Sequence, residues 1–373
     1  MALKVLMVGG RRCGKTSALA VMFDQMINGA INNFFTVGDA TIYETKGNET
    51  QDTLTKKSRE LEMFLENPTT NTFLVDSDPT NNDWKYKCRL QIPGTRKALE
   101  IVYTDVPGEW FRSGTFDEEI NRYVAEHDVF VIMVDTPYLM EESKAMCDAV
   151  NCISDIHNAL TNINDENGTK AKMVAFVPIK CEKWVKEGRI QEVVDKLKSA
   201  YRVPIQALLA YNKMSICILP IETAGNILFR EFKDAYLLNG AEQRNRCCQL
   251  SDNKVRMADG TSRPLRANDI LNPDPDAVMG TLGIMRPYAW YYANNRTETP
   301  GYAPRNCDQL ALHILKFYVQ KCQMEDAWGI IIGTIFGRWV ITKEEMLQKM
   351  AEINAANIIK NDVDGIEYLK RAY

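Results

Sequence analysis

Short apolar runs alternate with stretches of helical spacing along most of the 373-residue chain. "KVLMV" near the N-terminus is a compact apolar run, of the kind a strand buried on both faces leaves in a sequence. "KTSALAVMFDQMI" follows it with the three-and-four spacing of an amphipathic helix. "WKYKCRLQIPGTRKALEIVYTD" predicts two strands joined by a turn at Pro93-Gly94. Three further apolar runs, "DVFVIMVD" (128–135), "KMVAFVPIKCEKW" (172–184) and "SICILPIETAGN" (215–226), predict buried strands. Helical patterns occupy about 141–160 and 190–210 between them. Strands that alternate with helices predict an α/β fold with a doubly wound, mostly parallel sheet. Right-handed crossovers would bring the C-terminal ends of its strands, and the loops beyond them, to one edge.

Two regions extend this core. About fifty residues separate the first helix from the predicted hairpin, and "TQDTLTKKSRELEMFLEN" (50–67) within them has the pattern of an added charged amphipathic helix. After Asn226 the rhythm changes. "EFKDAYLLNGAEQRNRCCQL" begins with helical spacing, "KVRMADGTSRPL" predicts a hairpin at Asp259-Gly260, and Tyr288, Trp290, Tyr291, Tyr292 and Tyr302 concentrate aromatic surface. That surface suits either the packing of an insertion or stacking on a base or partner. "CDQLALHILKFYVQKC" (307–322) is a strong amphipathic helix, and Thr342 with Glu345 three residues on predicts a capping box before another. The expected division is a nucleotide-binding domain over 1–226, an insertion over 227–304, a closing helix over 305–324 and a C-terminal helical extension over 325–373.

The loop after the first strand carries the chemistry. Gly9, Gly14, Lys15 and Thr16 meet the pattern GxxxxGK[ST], and strand, loop and helix stand in the order that the pattern requires. Glycines let backbone N–H groups close around an anion, and the helix N-terminus adds its positive dipole end. The cradle runs through Gly9, Gly10, Arg11, Arg12, Cys13, Gly14, Lys15, Thr16 and Ser17. Lys15 would reach the β- and γ-phosphates, and the Thr16 hydroxyl would ligate Mg²⁺. Arg11 and Arg12 are either further phosphate contacts, one of them a finger in cis, or solvated loop charges. Cys13 sits where a helix N-terminus would lower a thiol's pKa, or is simply a small loop residue. His127 and Asp128 precede a strand and read as cap and turn residues.

Strand, phosphate loop, helix, long connection, hairpin and then Asp105-Val106-Pro107-Gly108 is an order that resembles the Ras-like GTPases of the translation-factor-related class. The resemblance implies that Asp105 holds Mg²⁺ through water and that the Gly108 N–H meets the γ-phosphate. It places Glu109 where the attacking water is oriented, as a base or, equally, as a charge that repels the phosphate. Guanine is read in that class by [NT]KxD, here Ile179-Lys180-Cys181-Glu182. Lys180 fits with its stem over the base, Glu182 is one methylene longer than the aspartate that pairs with the base's N1 and N2 hydrogens, and Ile179 has no polar group to offer. Glu222-Thr223-Ala224-Gly225 is the matching second base loop. A switch threonine is expected among Thr36, Thr41, Thr69, Thr70 and Thr72. The inserted helix, the "DVPGE" form and the altered base motif are together similar to bacterial double-GTPase proteins.

Composition trims the alternatives. With 45 Lys and Arg against 49 Asp and Glu, the net charge of −4 argues against nucleic acid as the main partner. Ten cysteines without a CxxC and only three histidines leave no zinc pattern and suit reduced thiols in a cytoplasmic protein. The N-terminal apolar run ends in glycines instead of a cleavage site. "WGIIIGTIFG" (328–337) is about half of the length that a bilayer requires, so no transmembrane segment is expected. These features point to a Mg²⁺-dependent GTP/GDP-binding switch that hydrolyses slowly for a protein partner. A scaffold that binds nucleotide with little turnover, and an ATPase on the same fold, stay open.

Overall fold

β1 (Leu3–Val8) lies between β4 (Ala98–Asp105) and β5 (Val129–Asp135), parallel to both. β5 continues in parallel to β6 (Lys172–Ile179), and β6 to β7 (Met214–Ile218). On the other side β4 pairs antiparallel with β3 (Trp84–Gln91), and β3 with β2 (Thr36–Glu44). β15 (Glu367–Lys370) closes the far edge, antiparallel to β7, so that the eight strands run β15-β7-β6-β5-β1-β4-β3-β2. The computed structural model describes residues 2–10, 13–44, 83–113, 117–161, 163, 170–233, 236–239, 247–251, 254–257, 262–264, 270–273, 288–293, 302–324 and 341–372.

Every residue of β5 and β6 is buried, because helices cover both faces of the sheet there. Alternation in β1 feeds two cores. Leu3, Val5 and Met7 face α1 (Lys15–Asn28) and α10 (Cys307–Met324), whereas Leu6 and Val8 face α3 (Asp117–Glu126) and the helices that follow it. α10 packs against α1 in the first core, and Gln25 ties the two together: its Nε2 donates to Pro304 O at 2.8 Å, and its Oε1 accepts from Asp308 N at 2.9 Å.

Several elements differ from the sequence expectations. The helix over 141–160 is divided into α4 (Thr136–Glu141), α5 (Lys144–Asn151) and α6 (Ile153–Leu160). Cys152 takes φ 51° at the last break, and the Asp148 carboxylate accepts from Ser154 N and Oγ to hold it. The helix over 190–210 divides at Tyr201 into α8 (Ile190–Ala200) and α9 (Arg202–Leu209), with Pro204 in the first turn of α9, where its missing N–H costs nothing. "EFKDAYLLN" is not helical: it supplies the end of β8 (Ile227–Lys233) and all of β9 (Tyr236–Asn239). β9 joins β10 (Cys247–Ser251), β11 (Lys254–Met257), β12 (Ser262–Pro264) and β13 (Ile270–Pro273) in a sheet ordered β12-β11-β10-β9-β13. β11 and β12 are the arms of the hairpin predicted around Asp259-Gly260, whose turn lies outside the described residues. The aromatic run forms β14 (Tyr288–Ala293), antiparallel to β8. The C-terminal stretch holds α11 (Lys343–Ala355), with the Thr342–Glu345 capping box in place, and also the strand β15, too short at four residues to leave a pattern.

The hairpin of β3 and β4 has its turn at Pro93-Gly94, where Gly94 takes φ 75°. Thr36 and Thr41 are residues of β2; Thr36 pairs with Gln91, at the end of the sheet away from Asp105, and Thr41 pairs with Lys87 in mid-strand. Thr69, Thr70, Thr72, the helix at 50–67 and the apolar stretch 328–337 lie outside the described residues. Among the described residues no helix is long and apolar enough to cross a membrane.

Two histidines are locked in neutral form. His127 is 3% exposed and follows α3 as a cap, its N donating to Tyr123 O at 3.0 Å; its Nδ1 donates to the same carbonyl at 2.7 Å, and its Nε2 accepts from Thr104 Oγ1 at 2.9 Å. His313 Nε2 donates to Lys360 O at 3.0 Å, and Nδ1 accepts from the Tyr368 hydroxyl at 2.6 Å, which joins α10 to β15. Burial lowers both imidazoles to about 4. Their protons are taken up by the unfolded chain at about pH 6.5 but by the folded one only near 4, so each histidine destabilises the fold as pH falls through that window. His313→Gln, whose amide can meet the same two partners, should therefore gain on the parent by about 2 kcal/mol between pH 7 and pH 5 in urea denaturation, at about 1.4 kcal/mol per pH unit.

Candidate nucleotide-binding site

The site lies where β1, β4, β5 and β6 end, at the edge that parallel crossovers predict. β1 runs into Gly9 (φ 155°) and Gly10, and Gly14 (φ 104°) starts α1 in a left-handed conformation. The glycines are required by close approach as well as by dihedral angle. A Cβ on Gly10 would lie 1.9 Å from Val150 O, so the loop backbone rests directly on the last turn of α5.

Lys15 is only 6% exposed, and its Nζ donates to Gly9 O at 3.1 Å and Gly10 O at 3.3 Å. Thr16 Oγ1 donates to Asp105 Oδ2 at 2.7 Å, which joins the start of α1 to the end of β4. Asp105 is fully buried, and its Oδ1 has no hydrogen-bond partner among the described residues. Burial raises the Asp105 carboxyl above its ordinary range, while the Lys15 charge and the Thr16 hydroxyl pull it back. A hydroxyl and a carboxylate with one open, buried oxygen form a hard oxygen set suited to Mg²⁺. Ser17 is half-buried in the first turn of α1. Cys13 is fully buried, and desolvation raises its thiol, the opposite of the shift that a helix N-terminus alone would cause. Arg11 and Arg12 lie outside the described residues.

After β4, Val106, Pro107 and Gly108 are buried, and a turn closed by Trp110 N to Pro107 O at 3.1 Å leaves Glu109 half-buried beside the short helix α2 (Trp110–Ser113). Trp110 stacks on Tyr123 of α3 at 6.4 Å, which anchors the far side of that turn.

The end of β6 holds the expected base motif, with one change of role. Ile179 is a buried strand residue. Lys180 takes φ 58°, and its Cε passes 3.9 Å from the position of a Cβ on Gly14, so its stem lies against the phosphate loop. Its Nζ pairs at 2.8 Å with Asp135, the buried last residue of β5. Asp135 also accepts from Tyr138 N and so starts α4. The sequence did carry a sign of Asp135: an acid that ends the otherwise apolar run "DVFVIMVD". Glu182 opens α7 (Glu182–Lys186) but does not face outward, as a residue reading N1 and N2 would. It is 3% exposed, and its Oε1 accepts from the backbone N–H of Ala224 at 3.3 Å. Burial nevertheless leaves its carboxyl above the ordinary value.

The loop at 222–225 is pinned from its other side too. Glu222 N donates to Arg305 O, and Arg305 N to Glu222 O, both at 2.9 Å, and Ala303 N donates to Ala224 O at 3.2 Å. Gly225 has φ 73°, and a Cβ there would lie 2.0 Å from Ala303 O. Glu222 is pushed up to about 7 by burial and by the Glu182 charge, with the Arg305 guanidinium 3.4 Å away opposing this.

Phosphate loop, DxxG turn and altered base motif meet on the edge of an α/β sheet, the arrangement of a P-loop GTPase. The chain belongs to the Double-GTPase 2 family, whose model matches residues 5–223. Solved structures with similarity to the chain include two of the S. cerevisiae Ski7 GTPase-like domain. One, bound to GDP and inorganic phosphate, is 14% identical over 60% of this chain and 43% of that chain, with a TM-score of 0.37. The other, bound to GTP, is 11% identical over 80% of this chain and 72% of that one, also at 0.37. The chain thus spans less than half of the first of these. No curated protein matched.

Gly10→Ala should act through its backbone contact alone. The Val150 carbonyl cannot yield without moving α5, so the substitution should lower stability by more than about 2 kcal/mol in chemical denaturation.

Proposed function

We propose that this GTP-binding protein is a Mg²⁺-dependent, slowly hydrolysing switch. The observation that supports this most is the buried meeting of Lys15, Thr16 and Asp105, with one Asp105 oxygen left open. On nucleotide binding, Lys15 would exchange the Gly9 and Gly10 carbonyls for phosphate oxygens, and the N–H groups from Gly10 to Thr16 would line the phosphates. Thr16 and, through water, Asp105 would hold Mg²⁺, which would supply neutralisation of the phosphate charge. The Gly108 N–H follows the γ-phosphate, and a change there passes through Trp110 to α3. Glu109 is placed to orient water.

The expected domain division fits this reading. Residues 227–304 would be an insertion carried by the base loop, α10 at 305–324 would close the nucleotide domain, and 325–373 would be an extension. The insertion and extension would supply the surface for a protein partner. The strapped base loop and the missing polar group at Ile179 favour a second reading, a scaffold that binds nucleotide with little turnover.

Titration with fluorescent GTP, GDP and ATP analogues, with and without Mg²⁺, followed by phosphate release, tests both. Lys15→Ala should weaken binding at least a hundredfold, about 2.7 kcal/mol or more; unchanged affinity would remove the phosphate loop from the site. Asp105→Ala should abolish the difference between Mg²⁺ and chelator, and a difference that persists would exclude Asp105 from the metal's surroundings. Glu109→Gln separates its two roles: faster phosphate release identifies charge repulsion, and slower release identifies a base. Binding without release in the parent supports the scaffold.

A further inference from the structure

Guanine offers a carboxylate two donors, N1–H and the N2 amine, and a carboxylate has about four lone-pair positions with which to accept. In Glu182 the carboxylate is withdrawn from such donors: the residue is 3% exposed, and Oε1 accepts from Ala224 N at 3.3 Å. The same contact occupies the Ala224 N–H of the second base loop, which would otherwise be a donor for the base's O6.

The loop has no slack with which to release it. Its outer side is joined to residues 303–305 by Glu222–Arg305 and Ala224–Ala303 backbone bonds, and Gly225 rests on the Ala303 carbonyl. Asn306 Nδ2 donates to Pro220 O, and Lys360 Nζ donates to Asn306 Oδ1, so the extension backs the strap. To turn Glu182 toward a base would strand the Ala224 N–H and draw a buried carboxylate out of its place, at a cost comparable to the hydrogen bond gained.

We propose that Glu182 is a positioning residue, a clamp that fixes the loop at 222–225 from inside, and that this site does not read the guanine N2 amine through a carboxylate. Discrimination is left to the shape of the slot beside the Lys180 stem. The inference rests on the nucleotide-binding reading above. It separates this chain from the pattern that its own base motif resembles, since the acid is conserved in position within the motif but turned to another task.

The test uses GTP, ITP, which lacks the N2 amine, and XTP, which has a carbonyl in its place. Each is titrated with Mg²⁺ against the full chain and against Glu182→Gln, with amide hydrogen exchange of 223–225 followed in parallel. The clamp predicts that the parent binds GTP and ITP within about threefold, less than one charge-assisted hydrogen bond is worth. Glu182→Gln turns amide hydrogens on backbone donors, so exchange at 223–225 should accelerate. Affinity for all three nucleotides should fall by one common factor of about ten, with the XTP-to-GTP ratio unchanged. A parent that prefers GTP over ITP more than tenfold, with a gain of XTP over GTP in Glu182→Gln, would overturn the proposal and make Glu182 a base reader. Unchanged affinities in Glu182→Gln would overturn it as well, because the loop would then lie outside the site. If the parent binds none of the three, the nucleotide-binding reading fails, whereas the exchange at 223–225 still decides whether Glu182 clamps the loop.

Discussion

A cation without water must be balanced by whatever surrounds it, and the nucleotide end of this sheet is arranged around that requirement. Lys15 is nearly buried, and two carbonyls of the phosphate loop and the neighbouring Asp105 charge stand in for its hydration. Asp105 in turn is buried with one oxygen spent on Thr16 and one unspent. A second balanced pair, Lys180 and Asp135, lies on the other side of Gly14. The Lys15 charge offsets the buried Asp105, and Lys180 offsets the buried Asp135 by a direct ion pair. The described ends of the loop, Gly9–Gly10 and Cys13–Gly14, are therefore held by contacts within the protein itself.

The base end of the site is organised differently, by backbone instead of charge. The loop at 222–225 is caught between a carboxylate on one side and a strap of main chain on the other. The segment that forms β8 leaves directly from this loop, and the strap returns to it. Phe232 packs on Tyr138 of α4 at 4.5 Å, and Phe229 stacks on Trp184 of α7 at 5.9 Å. The two-stranded sheet of β8 and β14 is thus rooted in the helices that follow β5 and β6.

What the sequence showed, and what it hid, follow from the range of the forces involved. The phosphate loop was legible because glycine dihedral angles, a lysine and a helix start are set within eight residues. β5 and β6 were legible because burial on both faces leaves an unbroken apolar run. The breaks at Cys152 and Tyr201 were not, since ordinary residues there are held by Asp148 and by tertiary packing. "EFKDAYLLN" has spacing that serves either a helix or two short strands, and only its partners β14 and β13 decide. Glu182 was found by its place in a motif, but its direction depends on the Ala224 N–H, 42 residues away. Asp135 had its sign in the sequence, and Lys180 gives it its meaning.

The packing of α10 on α1 has a consequence for how the chain reaches this state. Gln25 bonds to Pro304 and Asp308, some 280 residues along the chain. A nucleus cannot form early from contacts so remote, so α1 is expected to settle on the sheet first and to receive its cover late in folding. The entropy of closing that loop grows only with the logarithm of its length, by about 0.6 kcal/mol for each doubling. Relatives of this protein could therefore lengthen or shorten the segment between β8 and the strap at little thermodynamic cost. The time that α1 spends uncovered is the quantity that such changes would alter.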